Sequence, residues 1–282
     1  MSFSPENLGI SEAGLPLLRE LIHQQTGLFY ENGRSELLSD RLAPLVVARG
    51  FRSYLDFYYL LKFDQRSSAD TAWREVMDAL SVQETYFWRE VDQLQALTCH
   101  VLPELLRATP GATVRIWSIP CATGEEPLSI AIALEEAGWF DRARIEIHAS
   151  DASPAAIAKA RAGLYRERSF RSLPGFLRDK YFEPRGTQWA PKASLQRRIT
   201  SWTMVNLMAR DEMLTHAHSQ IVFCRNAFIY FSRDSVKQVV KTFEDAMPVP
   251  GYLFLGASES LSKLSDRFLL EDVDRAFVYT KR

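Results

Sequence analysis

The chain has 282 residues, 46% hydrophobic and 24% charged, enough for one large core or two smaller ones. Its 34 basic and 35 acidic side chains leave a formal net charge of −1, which argues against a nucleic-acid partner. The three cysteines, Cys99, Cys121 and Cys224, lack CxxC or Cys/His spacing, so no disulfide framework and no metal site is expected. No apolar run approaches the roughly 20 residues of a membrane span, and MSFSPENLGISEAG has neither a basic nor an apolar export segment. The expectation is a cytoplasmic protein with reduced thiols and no membrane insertion.

In chain order, residues 1–80 read as a small all-helical domain. Ser35 and Ser53 are expected as N-caps, Gly27 and Gly50 as terminators, and Pro44 as a kink. In ADTAWREVMDAL, Trp73, Val76, Met77 and Leu80 share one helix face. Residues 81–95 read as a linker, and beyond residue 112 the pattern changes. TVRIWSI (113–119) predicts a strand, PLSIAIALEEAG a helix ending at Gly138, RIEIHAS (144–150) a strand, and SPAAIAKARAG a helix capped by Ser153. SQIVFC and GYLFLGA predict further strands around the helix DSVKQVVKTFEDAM, whose Val236, Val239, Val240 and Phe243 share a face. RFLLEDV and RAFVYTK close the chain. Alternating strands and helices imply an α/β fold with a doubly wound, mostly parallel sheet over residues 96–282.

In such a sheet the ligand crevice lies beyond the carboxyl ends of the strands, so loop 120–127 and Asp151 should flank one pocket. The loop SIPCATGEEPLS holds one glycine, Gly124, expected to let the backbone approach a ligand, and two carboxylates where a dinucleotide site would carry G-x-G-x-x-G. Two readings stand. Glu125 and Glu126 could complement the helix dipole, or they could hold a cationic ligand such as S-adenosylmethionine, with Asp151 accepting from its ribose diol. Arg89 has a guanidinium fork suited to a carboxylate, or forms an ion pair with Glu90 or Asp92. Tyr230 could aim its hydroxyl at the site or fill core beside Phe228 and Phe231. His216 and His218 lack ligand partners and read as loop.

CATGEEPLSIA resembles the CSTGEEPYS signature of CheR-type chemotaxis receptor methyltransferases. VQETYFWRE (82–90) resembles that family's N-x-T-x-F-F-R-E segment, HASDAS its second-strand acidic end, VNLM (205–208) its N-L-L step, and IVFCRNAFIYF its C-R-N-x-x-I-Y-F segment. Two departures stand out: Gln83 replaces an Asn, and Pro120 stands where the family commonly has Gly.

The resemblance implies a fold of the S-adenosylmethionine-dependent methyltransferase type with a small antiparallel β insertion at about 180–203. It also implies a cofactor pocket lined by Gln83, Thr85, Arg89, Glu125, Asp151, Asn206, Leu207, Asn226 and Ala227. The implied reaction esterifies glutamates on the cytoplasmic helices of a methyl-accepting chemoreceptor or related signalling protein and leaves S-adenosylhomocysteine. A carboxylate with a pKa near ~4.3 is already ionised, so no general base is needed; Arg89 and Tyr230 are the catalytic candidates, as groups that orient it. Residues 159–210 carry 12 basic against 3 acidic side chains, a surface that would steer a Glu-rich helix or simply be a solvated face. The alternatives are the same chemistry on another signalling protein and a catalytically silent cofactor-binding adaptor.

Overall fold

The computed structural model describes residues 11–31, 35–64 and 67–281. Its first helices are α1 (Leu15–Thr26), α2 (Ser35–Ala48), α3 (Tyr54–Phe63) and α4 (Ser67–Leu80). They pack around Leu18, Ile22, Leu38, Leu42, Phe57 and Val76, all 0% exposed. Gly27 ends α1 with φ 76°, and Ser53 caps α3 by accepting from the Asp56 amide, a contact worth about 1 kcal/mol. Ser35 is the first residue of α2. Trp73, Val76 and Leu80 of α4 face this core, whereas Met77 points out of it toward the cleft described below.

Residues 81–90 run as loop and turn. Helix α5 (Val91–Ala96) then continues through a π turn at Leu97–Val101 into α6 (Leu102–Ala108), burying Leu94, Leu97, Leu102 and Leu105 against the α/β core. Next come β1 (Val114–Ser118), α7 (Glu125–Glu136), β2 (Ile145–Asp151) and α8 (Pro154–Ala162). Helix α9 (Gly175–Tyr181) leads into a two-stranded antiparallel sheet, β3 (Phe182–Arg185) and β4 (Gln188–Pro191). After α10 (Ala193–Gln196) follow β5 (Ile199–Met204), α11 (Arg210–Leu214), β6 (Ile221–Phe223), α12 (Arg233–Ala246), β7 (Gly251–Phe254), β8 (Phe268–Val273) and β9 (Ala276–Lys281).

The main sheet has the order β5-β2-β1-β6-β7-β9-β8. Its first five strands are parallel, and β9 and β8 run antiparallel to their neighbours. The chain leaves β1 in one direction and returns at β6 to the other side, so the carboxyl ends of β1 and β6 bound the crevice at the switch point. Pleat alternation sends Ile116 and Phe223 to one face and Trp117, Val222 and Leu253 to the other, where α12 packs. Phe223 and Phe254 stack in adjacent strands, centroids 4.2 Å apart.

The helical part closes over the crevice through polar contacts. Asp78 of α4 accepts from Ser153 Oγ at 2.5 Å and from the Ala155 amide at 3.0 Å, capping α8. The Phe29 amide donates to the Tyr230 carbonyl at 2.8 Å, and His23 Nε2 lies 2.9 Å from Ser232 Oγ at the start of α12. Among the described residues no helix is long and apolar enough to cross a membrane.

Candidate active site

Three strand ends and the 81–90 segment build two clefts that meet. The first spans about 650 Å³, its open mouth included. It is lined mainly by apolar groups, Ile119, Val205, Leu207 and Ala227 among them, with Asp151 at one wall, Asn206 and Tyr230 at its rim, and Thr26, Leu28 and Met77 over it. The second, about 520 Å³, is polar and holds Thr85, Tyr86, Arg89, Glu126, Ser129 and Arg225. Val82, Pro120, Ala122 and Asn226 line both.

Asp151 is 5% exposed; Oδ2 accepts from the Ala122 amide and Oδ1 from the Ser153 amide, both at 2.9 Å. Burial holds its pKa above the ordinary value, opposed by those amides. One donor per oxygen leaves acceptor capacity toward the cleft. Asn206 donates Nδ2 to the Gln25 carbonyl at 2.7 Å and accepts the Met208 amide at 3.0 Å, so it pins its own loop to α1 at the cleft edge. Tyr230 is 39% exposed. Its ring is at the mouth and not in the core.

Glu125 and Glu126 diverge. Glu125 accepts from Thr123 Oγ1 at 2.6 Å and Ser169 Oγ at 3.0 Å, and faces a third, basic groove. Glu126 accepts from Ser118 Oγ at 2.7 Å and pairs with Arg225 at 3.2 Å, on the polar-cleft side. Burial raises both pKa values; Thr123 opposes it for Glu125 and Arg225 for Glu126. Gly124 has φ 98°, and a Cβ there would meet Tyr165 Oη at 2.9 Å and Trp202 at 3.0 Å. The left-handed backbone and this packing each call for glycine at 124.

Arg89 donates to the Glu84 carbonyl at 3.3 Å and lies 5.5 Å from the Tyr86 ring. Among the described residues it makes no ion pair; Glu90 lies instead against Arg225 at 3.3 Å. Gln83 takes Lys159 Nζ at 2.9 Å and faces the groove with Thr85 and Glu125. The clefts therefore gather Asp151, Asn206, Leu207, Asn226, Ala227, Tyr230, Thr85 and Arg89, while Gln83 and Glu125 stand behind Thr85. No group of three or more His, Cys, Asp or Glu able to hold a metal is found among the described residues.

Arg225, in the CRN of IVFCRNAFIYF, is a cleft residue that sequence reasoning does not single out. This guanidinium is 4% exposed and is held by Glu90, Glu126 and the Arg89 carbonyl. Sequence reasoning also misses Glu259 and the α1 and α4 residues over the apolar cleft, for which only the cleft's own shape is a signal.

An apolar cleft with a buried carboxylate, Asp151, joined to a polar cleft that offers the Arg89 guanidinium and the partly buried carboxylate of Glu126, suits a ligand with a ribose at one end and an amino acid at the other. This sheet and cleft suit an S-adenosylmethionine-dependent methyltransferase. Residues 83–277 match the model of the CheR methyltransferase SAM binding domain, and residues 13–81 that of the CheR methyltransferase all-alpha domain. The chain belongs to the CheR methyltransferase family.

It is 34% identical to chemotaxis protein methyltransferase 2 of Vibrio cholerae, covering 96% of this chain and 94% of that one. It is 28% identical to chemotaxis protein methyltransferase 1 of Pseudomonas aeruginosa, over 96% and 99%. To the chemotaxis protein methyltransferase of Escherichia coli it is 29% identical, over 94% and 90%.

Proposed function

We propose that the chain methylates glutamate side chains on the cytoplasmic helices of a methyl-accepting chemoreceptor, giving glutamyl methyl esters. The reading is carried by one observation: Arg89 and Tyr230 line the two clefts on either side of Asn226, with no His or Cys general base among the cleft-lining residues. Bound there, S-adenosylmethionine supplies an electrophilic methyl group on a sulfonium. The acceptor carboxylate, ionised above ~4.3, would form the oxygen–carbon bond as the methyl–sulfur bond breaks, leaving S-adenosylhomocysteine, with no proton to give up. What the protein must supply is approach and dryness.

On this reading the Arg89 fork holds a carboxylate and Tyr230 aims its hydroxyl at the junction. Asp151, Asn206, Leu207, Asn226 and Ala227 hold the nucleoside end, and Thr85 the amino-acid end. Glu126 on the polar-cleft side, and Glu125 behind Thr85, give carboxylates near the end that carries an ammonium and a sulfonium, while Gln83 beside them is a neutral amide. The helical part, through Thr26, Leu28 and Met77, keeps water from the apolar cleft.

The groove behind Thr85, about 1160 Å³, carries Lys159, Arg166, Arg168 and Arg171. It shares Glu84 and Thr85 with the polar cleft, so a Glu-rich helix lying in it would reach the reacting end. The relatives' shared name, chemotaxis protein methyltransferase, supports that partner, and the protein then works in the cytoplasm.

The test is methyl transfer from labelled S-adenosylmethionine to a receptor cytoplasmic fragment. Label released as methanol by mild base is expected. Base-stable label, or label only on another signalling protein, overturns the reading.

A further inference from the structure

We propose that Glu259 is a positioning residue for methyl transfer: it gathers four main-chain N–H groups and so holds loop 226–230 in the shape that presents Asn226 and Tyr230 to the junction of the clefts. The proposal rests on the orienting role given to Tyr230 above. Glu259 Oε2 accepts from the Asn226 amide and the Gly256 amide, each at 2.8 Å. Oε1 accepts from the Phe228 amide at 2.7 Å and the Ile229 amide at 3.3 Å. Converging amides of this kind form a nest for an anion, here filled from within the chain.

The loop needs such a hold. Asn226 sits at φ 58°, in the left-handed region that costs non-glycine residues energy, asparagine least among them, and the amide contacts on either side of it help to hold it there. Gly256 makes room for the arrangement: a Cβ there would lie 2.5 Å from Asn226 Nδ2 and 2.9 Å from Glu259 Oε2. The next amide, Ala257, donates to Glu90 Oε1 at 3.4 Å, and Glu90 also meets Arg225 at 3.3 Å. One carboxylate therefore ties the β7 exit loop to the loop that follows β6.

Glu259→Gln tests this, because the amide keeps one acceptor oxygen and turns an NH2 against amides that need an acceptor. Receptor methylation, S-adenosylhomocysteine binding and melting are measured for Glu259→Gln, Tyr230→Phe and the double variant. Glu259→Gln is expected to lower kcat by roughly 10- to 100-fold while KM for receptor changes less than about threefold. In the Tyr230→Phe background its further effect on kcat should shrink below about threefold, the non-additivity of groups acting as a unit.

A Glu259→Gln protein that folds and turns over at the wild-type rate, beside a slow Tyr230→Phe, overturns the clamp and keeps the role of Tyr230. A silent Tyr230→Phe beside a slow Glu259→Gln overturns the role of Tyr230 and keeps the clamp. Where Glu259→Gln fails to fold, Glu259→Asp replaces it in the same cycle. Its shorter arm keeps the charge but cannot span all four amides, and a wild-type rate for it overturns the proposal.

Discussion

Asp151 spends one lone pair of each oxygen on its own loop and keeps the rest for the cleft, so its removal touches both ligand and loop. Asp151→Ala is expected to weaken S-adenosylhomocysteine binding by about 1–3 kcal/mol, the cost of deleting a charged acceptor from a buried partner. Calorimetry checks this, and unchanged affinity would take Asp151 out of the ribose site. His216 offers a different residue-level test. Burial, then the neighbouring His148 and His218, lower its pKa from 6.5 to about 4, and its ring stacks on His148 with centroids 4.7 Å apart. The unfolded chain therefore takes up this proton at higher pH than the folded one. Stability from His216 is present above 6.5 and is lost as pH falls from 6.5 toward about 4. Melting curves of His216→Gln should fall less steeply with acid than those of the parent; parallel curves would place the ring in solvent.

Among the elements, the 81–90 segment depends most on packing at a distance. Phe87 is 0% exposed and sits 4.9 Å, centroid to centroid, from each of Tyr165, Phe170 and Phe182. Its amide donates to the Ser169 carbonyl at 2.8 Å. Thr85 and Arg89 flank this anchor, so Phe87→Ala is expected to cost about 3–5 kcal/mol in denaturant unfolding and to lower cofactor affinity with it. A loss below about 1 kcal/mol would mean the aromatic cluster does not set the segment.

The same scale shows what a sequence can disclose. Strands β6 and β7 were legible because a parallel sheet buried on both faces leaves short apolar runs, β1 and β2 because β-branched residues alternate with polar ones, and α8 because Ser153 and Gly163 bracket it. Strand β5 was not. ITSWTM is a half-exposed edge strand with no apolar run, and only its pairing with β2 defines it. The loop motif pointed to Asp151 and to the glutamates. It could not say that Glu125 and Glu126 point apart, since that depends on Ser169 and Arg225, distant in the chain.

For the whole molecule, the net charge of −1 conceals a groove lined by Lys159, Arg166, Arg168 and Arg171 beside the polar cleft. Not all of the basic segment serves it. Arg198 pairs with Glu135 at 2.7 Å and lies 4.0 Å from the Phe140 ring centroid, a packing role. Reversing Arg166 and Arg168 to Glu should raise KM for receptor and flatten its salt dependence, because exposed charges are screened beyond about 8–10 Å at physiological ionic strength. Cofactor affinity should change little, and a wild-type KM at low salt would make the groove a solvated face.

A crystal structure with S-adenosylhomocysteine bears most directly on the joined clefts. The nucleoside is expected between Asp151, Leu207 and Ala227, and the amino-acid end beside Thr85 and Arg89, with Asn226 at the junction. An adenosine on the Arg89 side, or a ligand lodged in the Arg166 groove, would contradict it.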